Sequence, residues 1–276
     1  MKHYEGTFKG VGDKELFYQR WQPDGAPKAV LVIIHGLGEH SGRYPNVVAR
    51  VVPAGYAVYA YDQRGHGRTS GPRAYVNAWT ELRGDVQAFL ELVRREEPGR
   101  PVFLMGHSFG GLVALEFVLR HPEGLRGVIA SAPGLSSEGL SPFAIFLGRI
   151  LSRIWPTFSL KTGLEAAGIS RDPAVVEAYV NDPLVHAVGT ARLTTEALDA
   201  ITWTLGHAAE LRVPLLLLYG TADRIVPPQA SRAFFDTVAL EDKELREYDG
   251  FYHECHNDVG HAEPVGDLLS WLEQRV

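Results

Sequence analysis

Three residue types that can share one reaction occur along this chain in a telling order. Gly106-His107-Ser108-Phe109-Gly110 sets a serine between glycines two positions away on either side. Asp223 follows in Gly220-Thr-Ala-Asp-Arg-Ile-Val-Pro227, and His253 in Asp249-Gly-Phe-Tyr-His-Glu-Cys-His256. A serine hydroxyl has too high a pKa to attack a carbonyl unaided. An imidazole that takes its proton solves that problem, helped by a carboxylate that accepts the imidazole Nδ1–H and fixes its tautomer. Each residue also has a plainer reading. Asp223 could be a turn or helix-capping residue, and His253 a packing or surface histidine. Asp249 is a rival acid, but it lies too close in sequence to His253. His256 is a rival base, farther than His253 from the preceding strand.

Acyl chemistry also needs two backbone N–H groups to receive an oxyanion. Phe109, beside the serine, should supply one. Leu37, in His35-Gly36-Leu37-Gly38, should supply the other. Glycines on both sides of Leu37 suit a loop whose backbone approaches something closely, although a simple strand-to-helix connection would look similar. His253-Glu-Cys-His256 invites a metal reading. Consecutive loop residues rarely converge on one tetrahedral ion, and no second His/Cys cluster completes a site, so neither metal nor cofactor is expected. Cys255 should pack as a small apolar group. Arg64, His66 and Arg68 could meet a phosphate; a structural network between loops is the preferred reading.

The surrounding elements suit these roles. Val102 to Met105 is a compact apolar run, read as a buried strand, and a helix follows from Leu112. Strand, sharp turn and helix make Gly106–Gly110 a nucleophile elbow. Its serine is strained at the tip, and its glycines leave room where a Cβ would clash. Ala29–Ile34, Tyr56–Tyr61, Gly127–Ser131, Leu215–Tyr219 and Lys243–Tyr248 read as further strands, with helices at about 45–54, 79–95, 228–240 and 261–275. That alternation predicts a mostly parallel sheet with helices on both faces. Residues 4–9 and 15–21 should pair antiparallel at one edge. The order Ser108, Asp223, His253 is the order of an α/β-hydrolase.

The rhythm breaks between 134 and 209. No strand is evident there, and helices are expected at about 142–158, 173–180 and 192–206. This predicts a helical cap (134–209) inserted into a core of residues 1–133 and 210–276. Phe143, Phe146, Leu147, Ile150, Leu151, Ile154 and Trp155 form an apolar stripe that could be ordinary core against the sheet; the preferred reading is an apolar tunnel or an interface-seeking lid.

Composition narrows the partners. The 276 residues carry net charge −6 without a basic block, which argues against nucleic acid. One cysteine excludes a disulfide framework. The longest apolar runs are too short to span a bilayer, and the N-terminus lacks the apolar stretch of a signal peptide. A cytoplasmic protein is expected, with transient contact between the cap and a membrane or micelle. The oligomeric state has no sequence signal.

Taken together, His35-Gly-Leu-Gly-Glu-His-Ser-Gly-Arg-Tyr44, Tyr61-Asp-Gln-Arg-Gly-His-Gly67, Gly106-His-Ser-Phe-Gly-Gly111, Ala222-Asp-Arg-Ile-Val226 and Tyr252-His253 resemble one family. It is the monoacylglycerol lipase and lysophospholipase branch of the α/β-hydrolases, often filed with serine aminopeptidases. The resemblance spans nearly the whole chain and is weakest in the cap, where Asn181-Asp-Pro-Leu184 and its neighbours match no family motif. It implies Ser108 as nucleophile, Asp223 as acid, His253 as base, and oxyanion amides at Leu37 and Phe109. It implies a cap with a hydrophobic acyl tunnel and a narrow polar end for glycerol, near which Glu39, Arg43 and His256 should lie. The implied substrate is a small-molecule lipid ester, a long-chain monoacylglycerol cleaved through an acyl-enzyme. Lysophospholipase or general carboxylesterase activity is the alternative. An aminopeptidase or amidase would need an acidic pair in the cap, and a non-catalytic receptor would have no use for the triad.

Overall fold

A computed structural model describes residues 1–138 and 141–276; the two residues between them, inside the expected cap, lie outside the description. The chain opens with β1 (Lys2–Lys9) and β2 (Glu15–Gln22), paired antiparallel as their alternation predicts. Then follow β3 (Ala29–Ile34), α1 (Pro45–Val51), β4 (Tyr56–Tyr61), α2 (Trp79–Glu96), β5 (Val102–His107), α3 (Phe109–Arg120) and β6 (Gly127–Ser131). The insertion holds α4 (Pro142–Ile154), β7 (Ser159–Lys161), α5 (Pro173–Asn181), β8 (Val188–Thr190) and α6 (Ala191–Gly206). The chain closes with β9 (Leu215–Gly220), α7 (Pro228–Thr237), β10 (Lys243–Tyr248) and α8 (Ala262–Glu273).

Among the described residues, eight strands form one sheet in the order β1-β2-β4-β3-β5-β6-β9-β10. Every pair from β4 to β10 is parallel. The apolar strands are continuous runs because both faces are covered. In β3, Val30, Val32 and Ile34 join the core under α2 and α3, while Ala29, Leu31 and Ile33 join the core under α1 and α8. This is the period-two alternation of a strand. Strand order reverses between β3 and β5. Crevices in open α/β sheets form at the carboxyl ends of strands where the order reverses. The turn at His35–Gly38 and the turn at Ser108 leave those two strand ends, so the topology brings them together.

The insertion departs from expectation in one way: β7 and β8 pair antiparallel, where no strand was expected. Three residues each, far apart in sequence, cannot show the alternation that announces a strand. The stripe of α4 faces outward and forms no core: Phe143 is 72% exposed, Ile154 74%, and only Ser152 is buried. The helix leans on α6 through Ser152 with Thr195 (2.8 Å) and Arg149 with Asp199 (2.6 Å). In turn α6 is anchored to the core. Glu196 accepts the Trp79 N–H at 2.6 Å, and the Arg120 guanidinium lies 3.5 Å from the Trp203 ring centroid. Among the described residues no helix is long and apolar enough to cross a membrane.

Candidate active site

Ser108 sits at the tip between β5 and α3 with φ 52° and ψ −120°. This is a left-handed conformation that costs a non-glycine residue energy and persists only where the surroundings impose it. They do so here. Ser108 N–H donates to Ser131 O (2.9 Å), and Ser108 O accepts from Leu112 and Gly134 N–H (3.1 and 2.8 Å). A Cβ at Gly106 would run into the Gly110 carbonyl, and one at Gly110 into the Ile34 and His35 carbonyls. The spacing of the motif is thus a packing requirement between β3, β5 and α3.

The Asp223 turn and the His253 loop are stitched to each other. Thr221 N–H donates to Tyr248 O (2.9 Å) and Ala222 N–H to Phe251 O (3.0 Å). Gly220 is needed because a side chain there would strike the Phe251 carbonyl. Asp223 then does two jobs. Oδ1 accepts Ile225 and Val226 N–H (2.8 and 3.0 Å), which is the turn role. Oδ2 meets His253 Nδ1 at 2.7 Å. Both side chains are buried. A carboxylate on Nδ1 holds the proton there and leaves Nε2 as the basic nitrogen. Asp249 bonds only at the surface, accepting from the Thr221 hydroxyl (3.1 Å).

Ser108 and His253 line one cavity with Gly36, Leu37, Glu39 and His107 from the core and Leu164, Glu165 and Tyr179 from the insertion. Its enclosed space is about 30 Å³, within a cleft of about 380 Å³ counted to its open mouth. Among the described hydrogen bonds of His253, the side-chain one goes to Asp223; a bond from a serine hydroxyl to its base often tightens only in the substrate complex. Phe109 opens α3, so its N–H has no partner within the helix. Leu37 N–H, in the turn after β3, donates to no group among the described residues.

Behind this wall lies a charged layer. Glu39 is buried, and its Oε1 accepts Gly36 N–H (2.5 Å) and Tyr44 O–H (2.8 Å). Arg43 makes a bidentate pair with Glu254 (2.5 and 2.9 Å) and reaches Glu39 Oε2 at 3.3 Å. Burial raises the Glu39 pKa, but Arg43, His35 and the Gly36 N–H outweigh it and hold the carboxylate below its usual value. His256 is stacked on Tyr44 (ring centroids 4.9 Å, 4° apart) and edge-on to His107 (4.9 Å). Burial lowers the pKa of His256 and lowers that of His107 further, which keeps both neutral. Of the three residues expected at a polar end, only Glu39 faces the cavity; Arg43 and His256 brace its wall from behind. The side chains of 253–256 take four separate partners: Asp223, Arg43, the Tyr252 carbonyl and Tyr44. Cys255 is fully buried, and burial raises its thiol pKa.

The second loop is a network. Arg64 grips Asp85 through two bonds (2.5 and 2.7 Å), His66 Nδ1 donates to Arg64 O (2.8 Å), and Arg68 pairs with Glu5 (2.8 Å). Asp62 ties this loop to the first by accepting Ser41 N–H and O–H (2.8 and 2.6 Å) and Arg68 N–H (2.7 Å). His35 Nε2 accepts Gln63 N–H (2.9 Å), so its Nδ1–H donates to Gly36 O (2.7 Å). Residue-by-residue reading missed Tyr44 and Asp62, and also Asp182 and His186 from the insertion. The last two carry no local signal, since their partners lie far away in sequence.

Known proteins resemble the chain along nearly its whole length. The family model for serine aminopeptidase, S33 (Hydrolase_4), matches residues 25–260. The chain is similar to the monoacylglycerol lipase of Mycolicibacterium smegmatis, with 35% identity over 97% of this chain and 96% of that protein. It is also similar to phospholipase YtpA of Bacillus subtilis, 35% identical over 93% and 99% of the two chains. The crystal structure of Paleococcus ferrophilus monoacylglycerol lipase superposes with a TM-score of 0.85, at 34% identity and full coverage of both chains.

Proposed function

We propose that this chain, which belongs to the serine aminopeptidase S33 family of α/β-hydrolases and is a serine hydrolase, cleaves long-chain monoacylglycerols to fatty acid and glycerol. The observation that carries the reading is its likeness, along nearly its full length, to the M. smegmatis monoacylglycerol lipase. Ser108 Oγ attacks the ester carbonyl while His253 Nε2 takes its proton. Asp223, on Nδ1, stabilises the imidazolium that forms. The oxyanion rests on the N–H groups of Leu37 and Phe109. His253 then protonates the departing glycerol. Water, deprotonated by the same nitrogen, releases the fatty acid. Glu39 is the wall residue placed to receive glycerol hydroxyls.

Residues 134–209 act as the cap over the core formed by 1–133 and 210–276. The outward stripe of α4, flanked by Arg149 and Arg153, suits a lipid surface from which the substrate is drawn. A reducing, cytoplasmic setting suits a chain with one buried cysteine. Lysophospholipid hydrolysis is the second reading, favoured by the equal identity to phospholipase YtpA.

A substrate panel with a Ser108→Ala control tests both. It comprises monoacylglycerols of several chain lengths, a lysophospholipid, a short p-nitrophenyl ester and an aminoacyl p-nitroanilide. Monoacylglycerols should be turned over fastest, and Ser108→Ala should abolish turnover. Preference for the lysophospholipid establishes the second reading, and cleavage of the anilide alone overturns both.

A further inference from the structure

The loop that carries Leu37 is fastened from two bodies of the molecule. On the core side, Gly36 N–H is held by Glu39 Oε1 at 2.5 Å. On the cap side, His186 N–H donates to Gly38 O at 2.8 Å. Gly38 has φ 77°, and a Cβ there would strike the His186 carbonyl. Its glycine serves both a left-handed conformation and the close approach of cap to core. Two further contacts come from the same cap segment. Gly42 N–H donates to His40 Nδ1, so His40 Nε2–H donates to Asp182 Oδ2 at 2.9 Å. His186 Nε2 bonds Gly65 O at 3.2 Å, with its ring 4.8 Å from that of His66. Leu37 is therefore flanked by two tethered glycines, one tied to each body. The base loop is tied to the cap as well, since Glu254 N–H donates to Ile169 O at 2.8 Å.

We infer that Asp182 and His186 are positioning residues for the oxyanion hole. Docking of residues 182–186 holds the Leu37 N–H where charge develops, so the cap contributes to turnover as well as to substrate capture. The inference rests on the reading of Leu37 as an oxyanion donor. Its physical basis is preorganisation: a donor that must be reoriented during the reaction stabilises the transition state less than one already in place.

The test compares Asp182→Ala and Asp182→Asn with the unsubstituted protein on p-nitrophenyl acetate and on a long-chain monoacylglycerol. No residue of α4 lines the cavity that holds Ser108, so an acetyl ester makes no use of that helix. Affinity for a short trifluoromethyl ketone, which forms a serine-bound oxyanion, is measured alongside. Asp182→Ala should lower kcat on the acetate roughly tenfold, a fraction of what deleting an oxyanion donor costs. KM for the acetate should stay the same, and ketone affinity should fall by a similar factor. Asp182→Asn, which keeps an acceptor oxygen, should lie between. Unchanged acetate turnover and ketone affinity, with a raised KM for the long-chain ester, would overturn the inference, because the segment would then serve only the acyl chain. If melting curves show that Asp182→Ala is unfolded, His186→Ala takes its place; it removes the bond to Gly65 O and the ring contact with His66 that seat the segment, and leaves the backbone bond to Gly38 O. A wild-type protein that neither binds the ketone nor hydrolyses either ester would instead sink the proposed function, and the inference with it.

Discussion

Asp223 shows how one carboxylate can close a turn and, in the proposed reaction, serve a base. One oxygen closes a turn and the other aligns His253. Removing the side chain confounds the two roles, whereas Asp223→Asn separates them. The amide oxygen can still cap the turn, but its NH₂ now faces Nδ1 and forces the wrong imidazole tautomer. We expect kcat to fall by roughly 10³ to 10⁴, with the melting temperature little changed; steady-state kinetics and a thermal melt check both. Ser108, Asp223 and His253 could be proposed from the chain alone because each stands in a short stretch whose geometry is local. Their mutual order did the rest. Arg43 and His256 could be named but not placed. Nothing in their neighbourhood says that Arg43 is consumed by Glu254 or that His256 lies flat on Tyr44.

At the scale of elements, the strands were the easiest part to read. A run such as Ala29–Ile34, buried on both faces, can be little else. The direction in which α4 faces was harder. Its stripe is plain in the sequence, yet whether a stripe becomes core depends on what lies opposite, and here α6 touches only one side. The short ribbon of β7 and β8 had no signal at all. The outward stripe supports a prediction of its own. A double substitution, Phe143→Ser with Phe146→Ser, should weaken binding to phospholipid vesicles about tenfold or more, since each exposed phenyl ring placed in a lipid interface contributes on the order of 1 kcal/mol. Flotation with the vesicles measures this, while turnover of a soluble short-chain ester should be retained. Undiminished flotation would remove α4 from the lipid-facing role.

Seen as a whole, the molecule gathers neutral histidines around its loops. His35, His66, His107 and His256 are buried, and burial lowers the pKa of each; His186 shifts the same way. The unfolded chain protonates its histidines near pH 6.5. Below that value it takes up protons that the folded chain refuses, so folding stability is complete above about 6.5 and declines as pH falls. Each such histidine adds a slope approaching about 1.4 kcal/mol per pH unit. Melting temperatures recorded from pH 8 to pH 5 should be flat at first and then drop. Replacing His256 with Gln should flatten that drop, and a drop of the same steepness would exclude His256 as a contributor. The topology that assembles these rings was legible from the alternation of strands and helices. Their clustering was not, because it depends on the sheet's order reversal and on a cap segment that returns to the first loop.

The contact between His186 and Gly38 also has a meaning in time. Chains emerge from the ribosome N-terminus first, at roughly 5–20 residues per second. The elbow around Ser108 is therefore made on the order of ten seconds before His253. In that interval the serine lacks the residue proposed as its base and, until residue 186 arrives, the contact that holds Gly38 O. On the proposed roles, a hydrolase whose parts close in this order is born latent.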